Sequence, residues 1–114
     1  MSEYSKANLH GELSYAPITF FGEKLKIGVI GAGRGALIKV RNFYNKGSNI
    51  EVLALDFLED FYKFNRDKVK LIKGKYNKDF ILDKHIIIIA IDNNDVINEI
   101  KDDCKKLCKI YINS

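Results

Sequence analysis

A chain of 114 residues fits one folding unit, and 46% hydrophobic residues beside 30% charged ones and a single proline exclude a disordered or fibrous class. The net charge of +4 arises from 19 basic and 15 acidic residues, with the lysines scattered rather than interleaved with aromatics, which argues against a dedicated nucleic-acid face. Residues 1–13 lack the apolar centre of a signal peptide, and the longest apolar run, 86–91, falls far short of the about 20 residues a bilayer requires, so a cytoplasmic location and no membrane partner are expected.

Residues 1–14 show no consistent periodicity and are expected to form a loose arm, leaving 15–114 as the domain. Tyr15 to Phe21 is apolar enough to pack on something, and Gly22-Glu23-Lys24 turns the chain into a first strand over 25–30, rich in β-branched residues. The strand ends abruptly at Gly31-Ala32-Gly33-Arg34-Gly35-Ala36. Ala36, Leu37, Val40, Phe43 and Tyr44 then recur at helical spacing, with Gly47 suited to stop the helix. Residues 50–55 form a second strand. Leu58, Phe61, Tyr62 and Asn65 predict a short second helix, 69–72 a third strand, and 77–82 a connection with room for a helical turn. The run Ile86-Ile87-Ile88-Ile89-Ala90 is apolar without alternation, as in a central parallel strand covered on both faces. A helix over 94–107 and a last strand over 109–112 complete the pattern. Strands alternating with helices predict an α/β fold: a doubly wound, mostly parallel five-stranded sheet of order 3-2-1-4-5, with helices on both faces.

The glycine sextet carries the chemistry, because it follows a strand and opens a helix. Gly31 permits a tight turn, Gly33 lets a pyrophosphate approach the backbone, and the small Ala36 allows close packing of helix on strand. The unpaired N–H groups at the helix start favour phosphate. Asp56 follows about 20 residues after the turn, the distance at which a carboxylate accepts the hydroxyls of an adenosine ribose, so NAD is expected in preference to NADP. Its alternative or additional role is to cap the helix expected at Leu58. Arg34 and Gly35 complete the phosphate turn, and Leu55 lies beside the acid. At the end of the fourth strand, Ile91 and Asp92 stand where the nicotinamide half would lie, and Asp92 is also the expected N-cap of the following helix.

Cys104 and Cys108, four apart, are expected to face the core from one side of the last helix with Val96, Ile97, Ile100 and Leu107. Neither His10 nor His85 is placed to complete a metal site, so no metal is expected. No nucleophilic triad or carboxylate pair can be assembled, and no catalytic residue is visible.

From Tyr15 to the C-terminus the sequence resembles the precorrin-2 dehydrogenase family, the NAD-binding N-terminal module of siroheme synthases. The resemblance rests on Pro17 with its apolar neighbours, Gly22-Glu23-Lys24, Gly31-Ala32-Gly33 with Ala36 and Lys39, and Ala54-Leu55-Asp56-Phe57. It extends through Ile88-Ile89-Ala90-Ile91-Asp92 to Asn98, with Ile91 standing where the family usually has threonine. It implies NAD as cofactor, the tetrapyrrole precorrin-2 as substrate and sirohydrochlorin as product. The family continues beyond the equivalent of Ser114 to an aspartate and a helical dimerisation region, so residues 1–114 alone are expected to bind NAD and turn over poorly, with a homodimer open. A second resemblance is to nucleotide-sensing regulatory domains of potassium transporters, which share the glycine turn and the acid after strand two. The lead-in from Pro17 to Lys24 and Lys39 favour the dehydrogenase.

Overall fold

The computed structural model describes residues 19–113; the arm expected over 1–14, the segment 15–18 with Pro17, and Ser114 lie outside the described residues. Five strands, β1 (Lys26–Ile30), β2 (Asn49–Ala54), β3 (Val69–Lys73), β4 (Ile86–Ile89) and β5 (Ile110–Asn113), form one sheet in the order β3-β2-β1-β4-β5, and every pairing is parallel. Two α-helices, α1 (Arg34–Tyr44) and α2 (Asn94–Lys106), supply crossovers on opposite faces. This is the Rossmann-like order expected from the alternation of strands and helices.

The isoleucine run of β4 shows why a central strand carries no polar alternation. Ile86 and Ile88 enter the core beneath α1, with Ile27, Val29, Ile50 and Val52. Ile87 and Ile89 enter the second core, beneath α2, with Ile30, Ile100 and Cys104. Burying each such side chain stabilises the fold by about 1.5–3 kcal/mol. On α1 the buried residues are Ala36, Leu37, Val40 and Phe43, the stripe read from the sequence.

Three local expectations are corrected. The second helix is only a 3-10 helix, Glu59–Lys63, because Leu58 and Phe64 on either side are extended. Asn65 closes a turn of its own by accepting the Asp67 N–H at 2.8 Å. Phe61 alone anchors the element, fully buried in the α1 core.

Cys104 is buried in the core but Cys108 is exposed. Helix α2 stops at Lys106, and Cys108 lies beyond its end at φ 55°, the left-handed position usually held by glycine. The Lys109 N–H donates to the Cys104 carbonyl at 2.8 Å and the Cys108 N–H to that of Lys105 at 3.4 Å, a Schellman closure. Burial, with help from Asp103, pushes the Cys104 thiol up to about 11, so it stays protonated at neutral pH.

The N-cap of α2 is Asn93, not Asp92. The Asn93 side-chain oxygen accepts the N–H groups of Asp95 at 3.0 Å and Val96 at 3.2 Å, whereas Asp92 is exposed. A cap must stand at the residue whose extended backbone precedes the first helical turn, and here that residue is Asn93 (φ −73°, ψ 108°).

At the N-terminal end of the strands, Lys84 is buried to 4% exposure. Its ammonium group reaches Asp83 at 2.6 Å, Glu51 of β2 at 3.0 Å and the Phe80 carbonyl at 3.0 Å, and lies 4.5 Å from the centre of the Phe80 ring. Gly28 in β1 makes the passage possible, since a Cβ there would stand 2.9 Å from Lys84 Cγ and 3.0 Å from Phe80. His85, at the same end, accepts the Lys26 N–H on Nδ1 at 2.9 Å, a strand-anchoring role.

Candidate cofactor site

The opposite end of the sheet carries the glycine turn. The chain leaves β1 toward β2 and β3 on one side and returns to β4 and β5 on the other, so the crevice at the C-terminal end of β1 is a topological switch point, where ligands bind in open α/β sheets. The turn is held from both sides. The Gly31 N–H donates to the Leu53 carbonyl of β2 at 2.9 Å, the Ala90 N–H donates to Ile30 at 2.8 Å, and the Leu58 N–H donates to Ala32 at 3.1 Å.

The two leading glycines have different reasons to be glycine. Gly31 has φ 108°, and a Cβ there would run into the backbone of Ala90, whose carbonyl carbon would stand 2.8 Å away. Gly33 has ordinary extended backbone (φ −91°, ψ −164°), and a Cβ there would meet nothing within 4 Å. The space in front of Gly33 is open, so the fold itself does not require the missing side chain there. Gly33 is also the N-cap of α1, with no side-chain cap and no acidic residue in the first turn. The helix therefore presents uncapped N–H groups and the positive end of its dipole to that space. Arg34 and Gly35 are exposed helical residues rather than part of the turn, while Ala36 faces the core at 1% exposure and lets α1 sit close to the sheet.

Asp56 lies two residues past the end of β2 and is exposed; it caps nothing, because the following 3-10 helix has Leu58 at its N-cap with no side-chain bond. It borders a hollow of about 330 Å³ with Leu55, Phe57, Tyr62, Arg66, Leu71 and Lys73. Arg66 lies over the Tyr62 ring, 5.5 Å from its centre. Sequence reasoning did not single out Tyr62, Arg66 and Lys73, which line the same hollow as Asp56. Their signal was faint: they come from the 3-10 segment and the end of β3, and only the sheet order brings them to Asp56.

Beyond β4, Ile91 is half-buried against the α2 core, and its Cγ2 would stand 3.1 Å from a Cβ on Gly31. It forms an apolar wall beside the turn. Asp92 follows it, exposed and not engaged in capping. The ends of β1, β2 and β4 thus bring Gly31 to Ala36, Leu55 and Asp56, and Ile91 and Asp92 to the same edge of the sheet. Among the described residues, no group of three or more His, Cys, Asp or Glu side chains could hold a metal ion, and no helix is long and apolar enough to cross a membrane.

A family model described as NAD(P)-binding matches residues 20–114. The chain belongs to this NAD(P)-binding family. The cofactor of this family is a nicotinamide dinucleotide, NAD(P), and the open face of Gly33 at an uncapped helix start, with the carboxylate of Asp56 at the same edge of the sheet, fits a dinucleotide. No curated protein matches the sequence significantly. Among solved structures, this NAD(P)-binding domain is similar to SirC, a precorrin-2 dehydrogenase, at 17% identity and a TM-score of 0.70 over 76% of this chain and 44% of that one. It is also similar to the D-lactate dehydrogenase with NAD+ from Lactobacillus jensenii, at 18% identity and a TM-score of 0.62 over 96% of this chain and 33% of that one. A D-isomer specific 2-hydroxyacid dehydrogenase from Xanthobacter autotrophicus Py2, in complex with NADPH and MES, matches at 14% identity and a TM-score of 0.57 over 97% and 34% of the two chains. At these identities the likeness is one of fold. The NAD(P)-binding domain spans less than half the length of each of these structures.

Proposed function

We propose that this domain is the cofactor module of a precorrin-2 dehydrogenase-type protein, which oxidises precorrin-2 to sirohydrochlorin. The observation that carries the cofactor placement is the empty space before Gly33 at the uncapped start of α1. In this reading the turn Gly31 to Gly33, with Arg34, Gly35 and Ala36, receives the pyrophosphate. Asp56 accepts the hydroxyls of the adenosine ribose, with Leu55 beside the adenosine, and Ile91 and Asp92 border the nicotinamide. When bound, the nicotinamide accepts hydride. The protein's own part is to fix the dinucleotide by its phosphates and ribose, and to give it an apolar wall at Ile91.

The choice of substrate rests on the family resemblance of Gly22-Glu23-Lys24, Ala54-Leu55-Asp56-Phe57 and Asn98, together with the fold shared with SirC. Titration calorimetry with NAD, NADP and ADP-ribose tests the site. Asp56→Ala is expected to weaken NAD more than NADP, because the carboxylate both accepts the ribose hydroxyls and repels a 2′-phosphate. An unchanged NAD/NADP ratio would remove Asp56 from the site. The substrate is tested separately, by following sirohydrochlorin absorbance when precorrin-2 and NAD are supplied. Failure to oxidise precorrin-2 in the protein that carries this domain would reject the pathway while leaving the cofactor site in place.

A further inference from the structure

A second hollow, of about 240 Å³, opens at the other end of the sheet, where β1, β2 and β3 begin. Four lysines line it, Lys26, Lys68, Lys70 and Lys84, against the carboxylates of Glu51, Asp67 and Asp83. The buried Lys84 engages two of those three acids. Its ammonium group has three N–H donors, and Glu51, Asp83 and the Phe80 carbonyl take all of them. Glu51 and Lys70 are register partners on β2 and β3, yet the Glu51 carboxylate is held by Lys84, and among the described residues Lys70 has no ion pair. Lys26 reaches Asp83 only at 3.8 Å, and Lys68 gives one N–H to the Gly47 carbonyl at 3.3 Å. Three ammonium groups thus border the hollow with donors to spare, against Asp67 as the one lining acid outside an ion pair.

We infer that this hollow is a seat for a compact oxyanion, a phosphate either free or carried by a small metabolite, held by Lys26, Lys68 and Lys70. Lysine meets phosphate as a point charge, without the planar match that arginine makes with a carboxylate, so three flexible ammonium groups around one space suit a tetrahedral anion. Lys84 does not touch the anion. It offsets Glu51 and Asp83, which would otherwise repel one, and does so from a position with 4% exposure. The five residues of β1, about 16 Å of strand, separate this end of the sheet from the glycine turn, so the anion is expected to bind with the dinucleotide in place.

The test is an amide NMR titration of the chain, saturated with NAD, using inorganic phosphate and, in parallel, glycerol 3-phosphate, with ionic strength held constant by potassium chloride. Saturating NAD removes the glycine turn as a competing phosphate site. Should NAD not bind, the same titration on the free chain still reads the two ends apart, because the amides around Gly33 and those of Asn49, Glu51 and Lys70 are different signals. Saturable shifts are expected at Asn49, Glu51 and Lys70. A Lys26→Ala/Lys70→Ala double variant, at two exposed positions, is expected to bind phosphate about tenfold or more weakly. Equal affinity for the two ligands would identify free phosphate as the occupant, and a preference of about threefold or more for the ester a phosphorylated metabolite; both require the seat. Shifts that do not saturate, shifts confined to the glycine turn, or a double variant that binds phosphate as the parent does would overturn it.

Discussion

A Cβ on Gly31 would collide with the carbonyl of Ala90, so the first glycine of the turn is required by the neighbouring strand end before any ligand arrives. Gly33, two residues on, is crowded by nothing. The two positions separate folding from binding. Gly31→Ala is expected to cost about 3 kcal/mol, from a left-handed backbone and a steric clash together. Gly33→Ala should leave stability within about 0.5 kcal/mol yet weaken NAD by about tenfold or more, as a methyl group enters the space proposed for the pyrophosphate. Chemical denaturation and calorimetry on the same two variants would check both halves. A Gly33→Ala variant with unaltered NAD affinity would move the pyrophosphate elsewhere.

The start of α2 offers a second contrast, between adjacent residues. Asn93→Ala removes the acceptor for two backbone N–H groups and should destabilise by about 1 kcal/mol. Asp92→Ala, at an exposed residue with no capping bond, should fall within about 0.5 kcal/mol. Denaturant midpoints would distinguish them. Asp-Asn-Asn offers three capping residues in a row, so the sequence marked the helix start correctly and its register one residue early.

Cys108 occupies a left-handed position with a side chain suited to the other side of the Ramachandran map. Cys108→Gly is expected to stabilise by about 1 kcal/mol, raising Tm by roughly 4–8 °C in a domain of this size. In the parent, a thiol reagent should label Cys108 and spare Cys104 until the protein unfolds, since the Cys104 thiol is buried and held protonated. Equal labelling rates would contradict the burial.

Lys84→Met keeps the length of the buried stem but strands Glu51 and Asp83. A loss of about 2–3 kcal/mol is expected, below the range for a fully enclosed pair because both carboxylates still touch water. The pH profile is more diagnostic. The hydrogen bond from Lys84 holds the Asp83 carboxyl below its ordinary range against the opposing effect of burial, with the charges of Lys84 and Lys26 assisting. A carboxyl depressed by folding adds stability above its unfolded pKa, about 4, and loses it as pH falls through the lower folded value. Stability measured from pH 6 to pH 2 should therefore fall below about pH 4 more steeply in the parent than in Lys84→Met. Parallel acid limbs would show that the contact is not maintained in solution.

Much of the architecture was legible because its signals are repetitive. The unalternating isoleucines of β4, the apolar stripe of α1 and the succession of strands and helices all report burial, and burial follows period. The turn and Asp56 could be paired as a candidate site from the sequence because both lie in one strand-helix-strand unit. What escaped depends on contacts distant in sequence. Lys84 sits between Asp83 and His85 and reads as loop charge; its only trace was Gly28, a gap in β1 that the lysine stem fills. Cys108 looked like the next residue of a helical face because its spacing from Cys104 is right, but a Schellman closure ends the helix by hydrogen bonding, without the glycine that usually announces it. Arg66 and Lys73 reach Asp56 only through the pairing of β2 with β3.

The buried lysine lies at the end of the sheet away from the glycine turn, and it ties β2 to the segment entering β4 at the ends where those strands begin. Positions 56, 66 and 73 share no contact with it and contribute nothing to either core. Inherited changes at the ligand edge can therefore accumulate without eroding the scaffold. Substitutions at positions 56, 66 and 73 are expected to leave the denaturation midpoint unchanged, because the packing that holds the sheet lies elsewhere.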